Sequence, residues 1–436
     1  MTGPAEPMTR GYAWLVFALS FGLLLSDYMS RQVLNAVFPL LKAEWALSDT
    51  ALGSLSGVVA LMVGLLTFPL SLLADRWGRV RCLVLSAVVW SLATLGCAVS
   101  ASYGEMFLGR FLVGVGEAAY GSVGIAVVLS VFPVAMRATL SGAFIAGGAF
   151  GSVLGVSIGG VIAQHLGWRW TFGVMGLFGL ALAAVYGVVV TERRLSRARA
   201  GAGAEAEPAA EPGTGVSVRK LLPRLFSSVS VLCAYVGSGL QMFLAMALLA
   251  WMPSYLDRYY GMPPDKAGLA AGVFALITGI GMVGGGMVCD RLGRRNPHLK
   301  WSVAVICSTG SVVLLAGGFQ LPPGAAQLVL IGAGTLLCNA TAGPAAAMVM
   351  SLTPAAVAAT ALATLTLANS LLGLAPGPAV TGMLADRMGL DAALRVIPLV
   401  SVVAGLAFAL GGRHYAKGLV PVPAGAAPLT KTELPT

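Results

Sequence analysis

Twelve apolar runs, each of about 18–28 residues and so long enough to cross ~30 Å of hydrocarbon, set the terms on which this chain can fold. Six lie at about 12–38, 50–73, 82–99, 105–130, 139–163 and 168–190, and six more at about 226–253, 266–288, 300–318, 326–352, 356–383 and 392–411. Backbone amides in hydrocarbon have no water to bond, so runs of this kind span as helices. Only 10% of residues are charged and 57% are hydrophobic, against about 25% charged in a soluble domain. The expectation is an all-α membrane protein of twelve transmembrane helices. The first run is too long for a signal-peptide core and reads as an uncleaved helix.

A polar stretch rich in Ala, Gly, Glu and Pro separates the two groups of six. The domain reading is therefore a first half at 1–191, a linker at 192–225, a second half at 226–412 and a tail at 413–436, expected to be disordered. With both termini cytoplasmic, only Lys42, Arg169, Arg258, Lys266, Arg387 and Arg395 of the 27 basic residues fall outside. That bias follows the positive-inside tendency, and the opposite orientation would invert it. The net charge of +10 is thereby explained without nucleic acid, for which no basic patch with interleaved aromatics exists.

The halves echo one another. Asp75-Arg76-Trp77-Gly78-Arg79 returns as Asp290-Arg291-Leu292-Gly293-Arg294, and Gly151, Gly155 and Gly160 return as Gly373, Gly377 and Gly382. Two independent echoes at one period of roughly 220 residues argue for duplicated six-helix units, as alternating-access carriers use. Gly147, Gly151, Gly155 and Gly159 also recur every four residues, giving the fifth span a smooth face for close helix contact.

Charge inside the spans is confined to the first half. The stretch 105–121 carries Arg110 and Glu117, two helical turns apart on one face, and the first span carries Asp27 and Arg31 at i,i+4. Each such residue costs at least ~2.5–3.5 kcal/mol near the bilayer centre, so it faces protein or a wet cavity. A structural ion-pair cluster satisfies that constraint, and so does a proton or substrate site; the two stay open at this stage. The second half supplies only neutral polar groups, among them Gln241, Asn339 and Asn369, with Tyr28 and Tyr120 as further cavity-lining candidates from the first. Interhelical hydrogen bonding is the competing role for each. Other chemistry finds no support. The six cysteines lack paired metal-ligand spacing, the three histidines sit at segment ends, and no Ser/His/Asp set, H-E-x-x-H pattern or filter loop is present.

At these motifs the chain resembles the major facilitator superfamily over nearly its whole length. The D-R-x-G-R loop and its repeat resemble that superfamily's cytoplasmic loop signature, although Ser71 stands where the motif begins with glycine; Gly286 keeps it in the second half. Arg110-(x)3-Gly114-(x)1-Gly116-Glu117 resembles the fourth-helix signature, and Glu117 with Ala118, Ala119 and Tyr120 is similar to spinster-like carriers and proton-coupled organic-anion symporters. In those branches an acid directly precedes the first-helix arginine. Here Ser30 does, and the acid is Asp27, one turn earlier.

The resemblance implies proton coupling through Asp27, Glu117 and Arg110, and substrate contact through Arg31, Tyr28, Tyr120, Gln241, Asn339 and Asn369. It also implies a cytoplasmic latch of Asp75, Arg76, Arg79, Asp290, Arg291 and Arg294, with a solvated charge run as the plainer alternative. The Gly-Pro pair of antiporter fifth helices is replaced by Gly155-Val156, which favours symport or uniport. The expected function is proton-coupled symport of a small or amphiphilic organic anion across a plasma or bacterial inner membrane. The expected protein is a monomer, with no cofactor beyond the proton gradient. A lysophospholipid or drug exporter of the same fold is the alternative.

Overall fold

The computed structural model describes residues 10–192, 228–293, 296, 298–353 and 358–418. The predicted linker and tail therefore lie almost wholly outside the described residues. Among those residues there is no strand. The first half comprises α1 (Arg10–Trp45), α2 (Asp49–Trp77), α3 (Arg79–Val99), α4 (Tyr103–Glu117), α5 (Tyr120–Val131), α6 (Val134–Leu166) and α7 (Trp168–Val189). The second comprises α8 (Val229–Tyr260), α9 (Pro264–Gly293), α10 (Leu299–Gln320), α11 (Ala325–Asn339), α12 (Ala342–Leu352), α13 (Ala358–Asn369), α14 (Pro376–Met388), α15 (Leu390–Val396) and α16 (Val400–Gly418).

Ten helical stretches of the described residues are long and apolar enough to cross a membrane. The two remaining runs are each crossed in pieces. One is α4 and α5, interrupted at Ala118 and Ala119; the other is α13 and α14, joined by a π turn over Ser370–Leu374. The breaks have a counterpart in the other half, since α11 ends at Asn339 as α4 ends at Glu117.

Local chemistry sets the helix ends. Ser48 Oγ accepts from Ala51 N at 3.1 Å to start α2, and at the start of α4 Ser102 Oγ accepts from Glu105 N at 3.4 Å while Glu105 Oε2 accepts from Ala101 N at 2.8 Å. Gly167 and Gly389, at φ +88° and +84°, turn the corners from α6 to α7 and from α14 to α15, where a side chain would be strained. Those corners are a third echo of the repeat.

Between the halves, α6 runs along α9 and α2 along α14. Glycines let these backbones touch. A Cβ at Gly160 would strike the Pro264 carbonyl, and one at Gly382 or Gly53 would strike the carbonyl of Asp49 or Pro378. The four-residue glycine ladder of α6 serves a neighbour within its own half. Gly147, Gly151, Gly155 and Gly159 receive Phe21, Leu25, Met29 and Val33 of α1, within the same half. Gly160, one position off the ladder, faces α9. Gly373 and Gly377 seat α8 in the same way, against Gly239 and Phe243.

The apolar core follows the same plan. One buried cluster joins both halves at the end away from the chain termini, through Phe38, Leu52, Leu55, Leu248, Trp251 and Phe274. Toward the terminal end each half has a separate cluster, one around Trp90 and Tyr120 and one around Tyr235 and Trp301.

Candidate functional site

Arg110 projects from α4 and is fully buried. Its guanidinium donates to three carbonyls: Ser30 O at 2.9 Å, Arg31 O at 3.0 Å and Leu55 O at 3.4 Å. It ties α4 to α1 and α2 and makes no ion pair among the described residues. Its charge still bears on Glu117, so Asp27, Glu117, Arg31 and Arg110 remain two acids and two bases, with the direct pairing carried by Arg31. Arg110 holds the backbone of α1 at the residue whose side chain does carry the pairing. Space for it comes from the flanking glycines, since a Cβ at Gly114 would lie 2.9 Å from Val59 O and one at Gly116 2.6 Å from Trp90 N.

Arg31 is that residue. Its Nη2 lies 2.9 Å from Glu117 Oε2 and 3.8 Å from Asp27 Oδ1. The two carboxyl groups are also within hydrogen-bonding reach of each other. Arg31 is the exposed member, with 14% of its side chain accessible against 4% and 0% for Asp27 and Glu117. The Tyr28 ring lies 5.1 Å beneath the guanidinium and packs on Gly148 and Gly151 of α6. Asp27 Oδ1, both Glu117 oxygens and Arg31 Nε are buried without an aligned hydrogen bond. Glu117 sits at the break between α4 and α5, where the helix ladder is interrupted. The core of the site is thus two carboxyls around one guanidinium, opening on the Arg31 and Tyr28 side.

The other predicted contacts are not gathered here. Tyr120 is fully buried, donates to Ser20 O and meets Trp90 edge-on at 5.2 Å, so it is a packing residue. Gln241 is also fully buried: its Nε2 donates to Ser308 Oγ at 2.6 Å, and its Oε1 accepts from Ser401 Oγ and Cys338 Sγ, both at 3.1 Å. Asn339 donates back to Thr335 O at 2.9 Å. Asn369, at the start of the π turn, keeps a buried Oδ1 without a partner and so retains an acceptor for a ligand. Among the described residues no cluster of three or more His, Cys, Asp or Glu could hold a metal.

The predicted cytoplasmic latch is described only in part. Arg76, Asp290 and Arg291 are exposed and form no ion pair among the described residues, while the Asp75 side chain and Arg294 lie outside them. At that end Glu192 Oε1 accepts from Val80 N at 2.7 Å, within the first half, where it caps α3.

The charged tie between halves is at the other end, and sequence reasoning missed it. Asp49 accepts from Arg258 at 2.6 and 2.9 Å and from Lys42 at 2.6 Å. Asp386 accepts from Asp49 N at 2.7 Å, Thr50 N at 2.9 Å and Thr50 Oγ1 at 2.6 Å. A carboxylate of α14 therefore caps the N-terminus of α2 across the interface, where the helix dipole favours it. Beneath it, Trp251 Nε1 donates to Pro378 O at 3.0 Å and its ring meets Phe38 at 5.3 Å.

The sequence profile of the Major Facilitator Superfamily matches residues 20–378. The chain belongs to that superfamily. Among its relatives, a hexuronate transporter of Bacillus subtilis (strain 168) is 24% identical, over 70% of this chain and 72% of the relative. A gallate transporter of Pseudomonas putida is 27% identical over 75% and 77%, and protein spinster homolog 1 of Xenopus laevis is 26% identical over 90% and 79%. The solved structure of a bacterial homolog to the human lysosomal transporter Spinster, inward-facing and occupied, covers 96% of this chain and all of its own. It has a TM-score of 0.83 at 19% identity. A D-xylose-proton symporter superposes with a TM-score of 0.71 at 18% identity, covering 94% and 98%. This major facilitator chain is thus a multi-pass membrane transporter with the superfamily fold.

Proposed function

We propose that this carrier couples the movement of an organic anion to protons, with Asp27, Arg31 and Glu117 as the coupling site. The observation that carries the reading is the count of charges around Arg31. Arg110 is turned to backbone carbonyls, so two buried carboxyls directly share the one guanidinium of Arg31, whose side chain is the accessible member. Two carboxyls this close around one guanidinium can share one proton, since burial and their mutual repulsion both act against ionising the pair. Protonated Glu117 no longer holds Arg31, and the partly exposed guanidinium is then available to a substrate carboxylate, against which its planar fork is well matched. Substrate and proton thereby enter together.

Twelve spans with both termini cytoplasmic complete the reading. The tie of Asp49, Arg258 and Asp386 then closes the outer end, and the separate apolar clusters at the terminal end correspond to an inward-open state. Relatives named for hexuronate, gallate, L-galactonate and galactarate/D-glucarate have a carboxylate substrate in common, which supports the anion class. The second reading, export of a lysolipid or drug, draws on the spinster homologs and on an efflux pump of Mycolicibacterium smegmatis that is 25% identical.

The test is uptake into proteoliposomes under an imposed pH gradient, with a panel of sugar acids and aromatic carboxylates. Accumulation of one of them should fall to equilibration in Glu117→Gln and Asp27→Asn. Full pH-driven accumulation in both variants would overturn the reading, and movement of lysolipid alone would favour the exporter.

A further inference from the structure

A cavity of about 350 Å³ lies between α10 and α16, remote from the charged site, at the end of the bundle that carries both chain ends. Its lining divides along the helix axes. Nearer the helix ends stand His298 and Arg413; further in stand Ile306, Phe408 and Ala409. Arg413 is exposed and has no ion-pair partner among the described residues, and His298 is held edge-on to Tyr415 at 4.9 Å. Trp301 forms the wall. Its ring is pressed onto α16 at Gly411 and Gly412, it is 3% exposed, and its indole N–H has no hydrogen-bond partner. Ile306, 67% exposed, faces the bilayer.

We propose that this slot binds one anionic phospholipid, its phosphate held by Arg413 and His298 and an acyl chain lying along Ile306 and Phe408. A slot on the outer wall of a membrane-embedded bundle is filled by lipid in any case; the chemistry of its mouth decides which lipid. An unpaired guanidinium beside an imidazole gives charge-assisted hydrogen bonds to a phosphate. A headgroup without its own ammonium leaves that attraction uncompensated. Basic pockets between membrane helices on the cytoplasmic side suit such headgroups, and the cytoplasmic placement of this end is the only step shared with the proposed function.

The experiment is native mass spectrometry of the full chain released from micelles doped with phosphatidylglycerol or phosphatidylcholine of the same acyl chains. A third arm offers soluble glycerol phosphate. The expected result is one retained phosphatidylglycerol, preferred about tenfold over phosphatidylcholine, as a lost charge-assisted contact predicts. Arg413→Ala combined with His298→Ala removes the preference. Ala409→Trp keeps both cations, fills the apolar part and removes the retained lipid. Arg81→Ala, an exposed basic residue on the same membrane face of the other half, leaves retention unchanged. Equal retention of the two lipids, or a preference that survives loss of both cations, overturns the proposal. Capture of glycerol phosphate by Ala409→Trp overturns it in favour of a free-phosphate site. Arg413 is on the surface, so its substitution tests the proposal even if Ala409→Trp fails to fold.

Discussion

Asp27 and Gln241 occupy the same place in the two halves of this carrier, and what surrounds them differs completely. Gly151 and Gly155 receive α1 at Leu25 and Met29, and Gly373 and Gly377 receive α8 at Gly239 and Phe243. Asp27 and Gln241 each fall midway between those contacts. Glu117 and Asn339 likewise close α4 and α11 at equivalent helix breaks. One scaffold thus carries two carboxyls in its first half and two carboxamides in its second. The Gln241 amide has partners on three neighbouring helices, while the carboxyls have one shared guanidinium and buried oxygens without aligned hydrogen bonds. A satisfied neutral network fixes helices against each other. An under-satisfied charged one has something to gain from a proton or a ligand, which is the basis for proposing that the first half carries the coupling.

The comparison breaks most visibly at Gln241. Gln241→Leu strands Ser308 and Ser401 of two helices, and should lower stability by about 1–3 kcal/mol without altering the pH dependence of transport. Thermal unfolding in detergent and a transport pH profile check the two parts; a shifted profile would place the coupling chemistry in both halves. A smaller effect is expected at the outer tie. Asp49→Asn weakens a pair whose arginine is 23% exposed, so solvent screening reduces its worth to about 1 kcal/mol, a several-fold shift toward the outward-open state. Labelling of a cysteine placed at Leu248 should quicken accordingly, and an unchanged rate would show that the glycine seams alone hold that end shut. The smallest is Tyr120→Phe, which removes one hydrogen bond to Ser20 O and should cost about 0.5 kcal/mol with coupling intact. Loss of coupling there would return Tyr120 to the site.

Much of this was legible in the chain. Apolar runs and the duplicated glycine and D-R-x-G-R motifs announce a two-half helical bundle, because hydrocarbon leaves the backbone no other choice. The intramembrane charges announce a site for the same reason. Partners were harder to read. The spacing of Gly147, Gly151, Gly155 and Gly159 defines a face but not the neighbour that fills it, and that neighbour is α1 rather than the opposite half. Arg110 bonds backbone carbonyls, which carry no sequence signature. Asp49, Arg258 and Asp386 look like ordinary loop-end charges until folding sets them across from one another. Gln241 reads as a mid-membrane ligand for a substrate because composition cannot show that Ser308, Ser401 and Cys338 already surround it.

The central claim is that Asp27 and Glu117 together hold an exchangeable proton beside Arg31. It is tested most directly by infrared difference spectroscopy of the substrate-free protein in lipid, between alkaline and acidic buffer. The account predicts a protonated-carboxyl band that grows on acidification and disappears in both Glu117→Gln and Asp27→Asn, with Gln241→Leu leaving it in place. A band unchanged in both carboxyl variants would contradict it and leave the pair a structural bridge.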